Sequence, residues 1–144
     1  MNLTLRPPRS PRLTLGGYAI LPRLLDKGRA LLAGTCGEYT YHGRGTNRHF
    51  FGFTGIDPDE LKTELAAGKG DGEILEWVRT KTTRQEWEIA AWSQWVTGRT
   101  PDSDAETLGE FAESVGKFTT TREDIKTWFD LLDLDDHCSF GGKA

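Results

Sequence analysis

The chain reads as a mainly α domain, a compact bundle of about six short helices. Three observations carry this. Apolar residues return at i, i+3 and i+4 in one stretch after another. Those stretches are bounded by capping residues, glycines and prolines. Strand–helix alternation and internal repeats, the marks of an α/β sheet or a solenoid, are missing.

Residues 2–12 hold three prolines and three arginines, so they are expected to form an extended or disordered arm (1–12), with one domain over 13–144. Gly16-Gly17 marks a turn. A first helix follows, with Leu21, Leu24, Leu25 and Leu32 on one face, Pro22 in the first turn and Gly34 as its stop. Over 36–54, Tyr39, Tyr41, Phe51 and Phe53 alternate with polar residues around a turn-rich centre, which reads as a small hairpin or an aromatic-anchored loop. Asp57-Pro58-Asp59-Glu60 opens a helix through Leu61 and Leu65, ended by Gly68. Asp71 is the expected cap of a helix with Ile74, Leu75, Trp77 and Val78. Thr83-Arg84-Gln85-Glu86 has the form of a capping box before Trp87, Ala91, Trp92, Trp95 and Val96. Ala105, Leu108, Ala112 and Val115 form a further stripe. Thr120-Thr121-Arg122-Glu123 leads into Ile125, Trp128, Phe129 and Leu132. The five tryptophans are expected to supply much of the core; Trp87, Trp92 and Trp95 at helical spacing read as core, with an aromatic ligand cage as the alternative.

Composition bounds the function. Residues of the AVILMFWYC set make up 36% and charged residues 28%, as in a soluble globular domain. No apolar run is long enough to span a membrane, and Met1 leads into Arg6-Pro7-Pro8-Arg9 without a signal-like stretch. A cytoplasmic location is therefore expected, with Cys36 and Cys138 as free thiols. The first 48 residues carry eight basic and two acidic side chains, the remainder ten basic and twenty acidic, giving +6 and −10. The two ends are expected to attract each other. The acidic total of −4 argues against a nucleic-acid partner.

Several segments together resemble the bacterial family catalogued as domain of unknown function 5069. They are Leu21-Pro22-Arg23-Leu24-Leu25-Asp26-Lys27-Gly28-Arg29-Ala30, Gly37-Glu38-Tyr39, Gly55-Ile56-Asp57 and Asp71-Gly72-Glu73-Ile74-Leu75-Glu76-Trp77. The resemblance covers roughly residues 10–140, and the L-P-R-x-x-D-K-x-R segment is its most specific part. It implies a small bacterial cytoplasmic protein and no established activity. Gly45-Thr46-Asn47 departs from a Pro-Leu-Asp-like stretch expected before the paired phenylalanines.

The candidate site comes from the basic cluster. On a helix, Arg23 and Lys27 lie at i, i+4, with Asp26 reaching Arg23 or Arg29. Such donors suit a small anion or an acidic protein surface. Arg23, Lys27 and Arg29 are the candidate binding face, joined by Tyr39, Tyr41 and His42 from the following loop. These cations are expected at the rim of the bundle. A salt-bridged solvated face is the structural alternative. Gly28, in or beside the apolar stripe of that helix, signals close approach by a neighbouring group. No cofactor is called for. The tail Asp133-Leu134-Asp135-Asp136-His137-Cys138 has metal-ligand residue types but no metal-binding spacing. A Cys36 pair with His42 or His49 has the residue types of nucleophilic catalysis without a motif. A small enzyme using His42 and a tail carboxylate such as Asp135 is the alternative to a binding module.

Overall fold

A computed structural model of the chain describes residues 1–144. It has seven helices and one two-stranded sheet: β1 (Thr14–Leu15), β2 (Tyr18–Ala19), α1 (Leu21–Leu32), α2 (Asn47–Thr54), α3 (Pro58–Ala66), α4 (Asp71–Lys81), α5 (Glu86–Thr97), α6 (Ala105–Gly116) and α7 (Trp128–Ser139). The mainly helical, single-domain expectation holds. The sheet is an antiparallel hairpin pairing Thr14 with Ala19 and Leu15 with Tyr18. Its two-residue turn is Gly16-Gly17, both at positive φ (58° and 84°), the backbone that tight hairpins need and side chains resist. β2 runs directly into α1 through Ile20, which takes φ 71° although it is β-branched. Full burial of its side chain and a hydrogen bond from its amide to the Pro11 carbonyl (3.0 Å) hold it there.

Helix α1 is the centre of the molecule. Every residue from Leu21 to Gly28 is buried, on all sides of the helix. It packs on α3 and on β1, while β2 packs on α5. The core joins Tyr18, Leu21, Leu24 and Leu25 to Phe50 of α2, Leu61 and Leu65 of α3, Ile74 and Val78 of α4, Trp92 and Val96 of α5, and Phe129 of α7. Phe53 stacks flat on Trp92 at 5.1 Å. α6 is peripheral, with only Phe111 buried, against the edge of Trp128 at 5.0 Å.

Several local expectations are corrected. The hairpin or loop expected over 36–54 is an irregular turn followed by α2, and the hairpin lies at 14–19. Asn47, Phe50, Phe51 and Thr54 are the buried face of α2, spaced i, i+3, i+4 and i+7. Two of the four are polar, which hid the helical period behind the Phe51/Phe53 alternation. Asp71 does not cap α4; Gly70 holds that position and Asp71 is the first helical residue. The box before α5 is Gln85 with Glu88, whose carboxylate accepts from the Gln85 amide (2.8 Å). α7 starts at Trp128, capped by Thr127 with Asp130, so Ile125 lies outside it. Leu32 is exposed at the end of α1. Of the tryptophans only Trp92 is buried; Trp87 and Trp95 are exposed. No helix is long and apolar enough to cross a membrane.

The stretch 1–12, set apart above as an arm, carries neither helix nor strand and lies along the helices. Leu3, Pro8 and Pro11 are buried, and the Leu3 amide donates to the Thr35 carbonyl (2.9 Å).

Candidate functional site

The burial of α1 decides what its charged residues do. Arg23 and Lys27 are not at the rim of the bundle: both are buried, facing α7 and the loop after α1. A buried charge needs a partner, because its desolvation is otherwise uncompensated. Arg23 finds one in Asp136 of α7, with Nη1 at 2.6 Å and Nη2 at 3.3 Å. Its Nη1 also donates to the Arg9 carbonyl (3.1 Å). The Tyr39 hydroxyl donates to the same carboxylate at 2.7 Å, so Asp136 holds the loop and α1 together. Burial, reinforced by the bond to Asp136, raises the Tyr39 hydroxyl pKa well above the usual phenol range.

Lys27 has no such partner. No carboxylate lies within ion-pair distance of its Nζ, which sits 5.7 Å from the centre of the Tyr39 ring. The Arg23 guanidinium carbon lies 5.6 Å from the same ring. Burial, and then the neighbouring Arg23 charge, lower the Lys27 amine to about 7, with Asp136 opposing. The Arg23 Nε is likewise buried and has no acceptor. The one carboxylate here is thus taken by Arg23, which still keeps an unused donor, while Lys27 stands beside it without an ion-pair partner.

The other four candidates divide. Tyr39 belongs to this cluster. Arg29 pairs with Asp71 at 2.8 Å and donates to the Lys69 carbonyl (3.2 Å) on another side of α1. Tyr41 is buried and donates from its hydroxyl to the Pro58 carbonyl (2.8 Å). His42 is exposed and meets the rings of Tyr41 and Phe51 edge-on. Arg23, Lys27 and Tyr39 converge; Arg29, Tyr41 and His42 do not join them. Nor does Asp26 pair with Arg23 or Arg29 as expected: it accepts from Arg9, through Nε (3.0 Å), Nη2 (2.9 Å) and the backbone amide (2.9 Å).

Sequence reasoning missed Asp136 and Asn47. Asp136 follows Phe129 by seven residues, which puts it on the same buried face of α7, but in an acidic run it read as solvated. Asn47 is buried at the start of α2, where its amide donates to the carbonyls of Thr40 (3.3 Å) and Tyr41 (3.0 Å). It fixes the turn that carries Tyr39 and Tyr41. Its position is the departure Gly45-Thr46-Asn47 noted in the sequence.

Residues 5–138 match the family described as a domain of unknown function, DUF5069. The chain belongs to that family. No curated protein matches it. Within this DUF5069 domain the L-P-R-x-x-D-K-x-R segment lies in α1, and three of its four charged side chains, at 23, 26 and 27, are buried.

Beside the cluster lies a cavity of about 430 Å³ lined by Leu3, Thr4, Glu38, Tyr39, Asp135 and Phe140, among others. Asp135 accepts there from Ser139 (2.9 Å). His42 is not in its lining, so the paired His42–Asp135 acid/base site does not assemble in this cavity. The metal-type residues do not gather either: no three His, Cys, Asp or Glu side chains are placed to hold an ion. Cys36 and Cys138 are separate, half-buried thiols. His49 has its Nε2 2.8 Å from Arg99, and burial followed by the Arg99 and Arg48 charges lowers it to about 4.

Proposed function

We propose that this DUF5069 domain is a cytoplasmic, bacterial binding module for a small anion, with Lys27 as the contact residue, Arg23 beside it and Tyr39 as the wall between loop and helix. The observation that supports the reading is the buried Lys27 amine without an acidic partner, next to a buried guanidinium nitrogen without an acceptor. An oxyanion set against both would supply the missing counter-charge and the missing acceptor in one step. Arg29, Tyr41 and His42, engaged elsewhere, lie outside this contact set. A small anion is favoured over an acidic protein surface because the cations are buried and no broad patch can reach them.

The test is thermal unfolding in sodium sulfate against sodium chloride of equal ionic strength, for the wild type and Lys27→Met. Sulfate also stabilises proteins generally, and the variant reports that background. The wild type is expected to gain more than the variant well below pH 7, with the excess fading as pH rises through about 7, where the amine loses its proton. Equal gains in both proteins at every pH would defeat the reading.

A further inference from the structure

We propose that the cavity where the start of α2 meets the α5–α6 connection, α6 and the first residue of α7 is a second binding site, for a small zwitterion of the free α-amino acid class. It shares no residue with the Lys27 cluster and does not depend on that reading. The cavity measures about 310 Å³, at the small end of the roughly 300–1,000 Å³ common for ligand sites. Its walls include Arg48 and His49 of α2, Arg99 and Asp102 of the connection, Glu110 of α6 and Trp128 of α7. Arg99 is the anchored part. Its carbonyl accepts from the Trp128 amide (3.0 Å), which fixes its backbone. Its guanidinium carbon lies 5.4 Å from the centre of the Trp95 ring, and Nη1 donates to His49 Nε2 at 2.8 Å. A guanidinium has only donors, so His49 presents a bare Nε2 and carries its proton on Nδ1. The same histidine meets the Trp95 ring edge-on at 5.2 Å. The Arg99 side chain is thus held by two neutral rings, and the rest of its N–H fork is unspent. Other arginines hold a carboxylate, as Arg9, Arg12, Arg23 and Arg29 do. Arg48 and Arg99 hold none.

The carboxylates of the same cavity decide the ligand. Asp102 and Glu110 line it and likewise pair with no cation. Two guanidiniums and two carboxylates therefore surround one small space with no ion pair among them, and their charges sum to zero. A simple anion on the arginines would stand near two like charges, and a simple cation on the carboxylates would do the same. A molecule that carries both charges meets an opposite partner at each end. Its carboxylate goes to the open fork of Arg99, which suits two oxygens at once, with Arg48 beside it. Its ammonium goes to Asp102 or Glu110. The Trp128 ring, set edge-on against Phe111, gives the apolar part a wall.

The probes separate the two charges. L-Alanine and L-leucine carry both, propionate only the anion and ethylammonium only the cation. Each is titrated at constant ionic strength into the isotope-labelled full chain, and NMR follows the Arg99 Nε–H and the Trp128 indole N–H. Saturating shifts are expected with at least one of the amino acids, at about tenfold lower concentration than with propionate or ethylammonium. Propionate acting as well as the amino acids would make this an anion site and overturn the zwitterion. No saturating shift from either amino acid overturns the site altogether. Arg48→Gln and Glu110→Gln change exposed side chains that hold no bond in the fold, so both variants should fold as the wild type does. Each is expected to weaken amino-acid binding about tenfold, the effect of one lost charge-assisted contact. Binding unchanged in both variants would also overturn the proposal.

Discussion

Asp136 answers two buried groups at once, the Arg23 guanidinium and the Tyr39 hydroxyl. Removing its charge strands Arg23, which is 1% exposed, and adds a second cation without a counter-charge beside Lys27. Asp136→Asn is therefore expected to lose about 3–5 kcal/mol in urea unfolding, the range for breaking one side of a buried ion pair. A loss below about 1 kcal/mol would mean that water reaches this pair. Lys27 acts in the opposite sense. Its pKa falls from 10.5 to about 7 on folding, so the folded protein resists a proton that the unfolded chain accepts. Below about 7 both states hold the proton and the full cost is present; between about 7 and 10.5 the folded state has already released it and the cost lifts. The wild type should gain stability relative to Lys27→Met as pH rises through that interval, by about 1.4 kcal/mol per unit at most. A difference that stays flat would place the amine in water. At this scale the sequence was half legible. The spacing of Arg23 and Lys27 marks them as a pair on one helix face, but a solvated pair and a buried one look identical until it is known that α1 is covered on every side.

Gly28 is legible in the sequence for the right reason, as a glycine in a buried helix that needs close approach. A Cβ there would come 2.5 Å from Leu65 Cδ1 of α3 and 3.1 Å from Tyr41 Cε2. Leu65 has a mobile end, so Gly28→Ala should be nearly neutral, with the better helix propensity of alanine offsetting a small shift. Gly28→Leu cannot be absorbed and is expected to cost about 1–3 kcal/mol or more in thermal or urea unfolding. An unchanged or raised melting temperature would contradict the packing of α1 on α3. Among the elements, the punctuation in the sequence marks the true start of two: α1 with Pro22, and α3 with the Asp57 cap, whose carboxylate accepts from Asp59 (2.7 Å). α2 is not legible in this way, because Asn47 and Thr54 are polar on a buried face and only their tertiary partners show why. The start of α7 lies beyond the Thr120-Thr121-Arg122-Glu123 segment that the sequence suggests, because it is Thr127 that finds a capping partner, the Asp130 amide at 3.0 Å.

The charge division along the chain becomes a whole-molecule device. Arg9 bridges α1 and α4 by holding Asp26 and, at 2.7 Å, Asp71, which Arg29 also grips. Burial would raise the Asp71 pKa, but the Arg9 and Arg29 guanidiniums hold it below its usual value. Arg12 reaches Asp130 and Asp133 of α7, and Ser10 donates to Asp133 (2.8 Å). The proline-rich stretch is thus tied across three helices of the bundle. Arg9→Met would leave the Asp26 carboxylate, 2% exposed, with only a backbone donor. The expected cost is about 2–3 kcal/mol in urea unfolding, less than a full loss of partners because that amide remains. No loss would show that the stretch is dispensable to the fold. The attraction of the two ends was readable from the uneven charge, but the pairing was not, since it depends on which face of each helix turns inward.

The most direct measurement is an NMR pH titration of the Lys27 side-chain resonances, with and without sulfate. The account predicts a midpoint near 7 that moves upward when sulfate is added. A midpoint near the ordinary lysine value of 10.5, indifferent to sulfate, would contradict it.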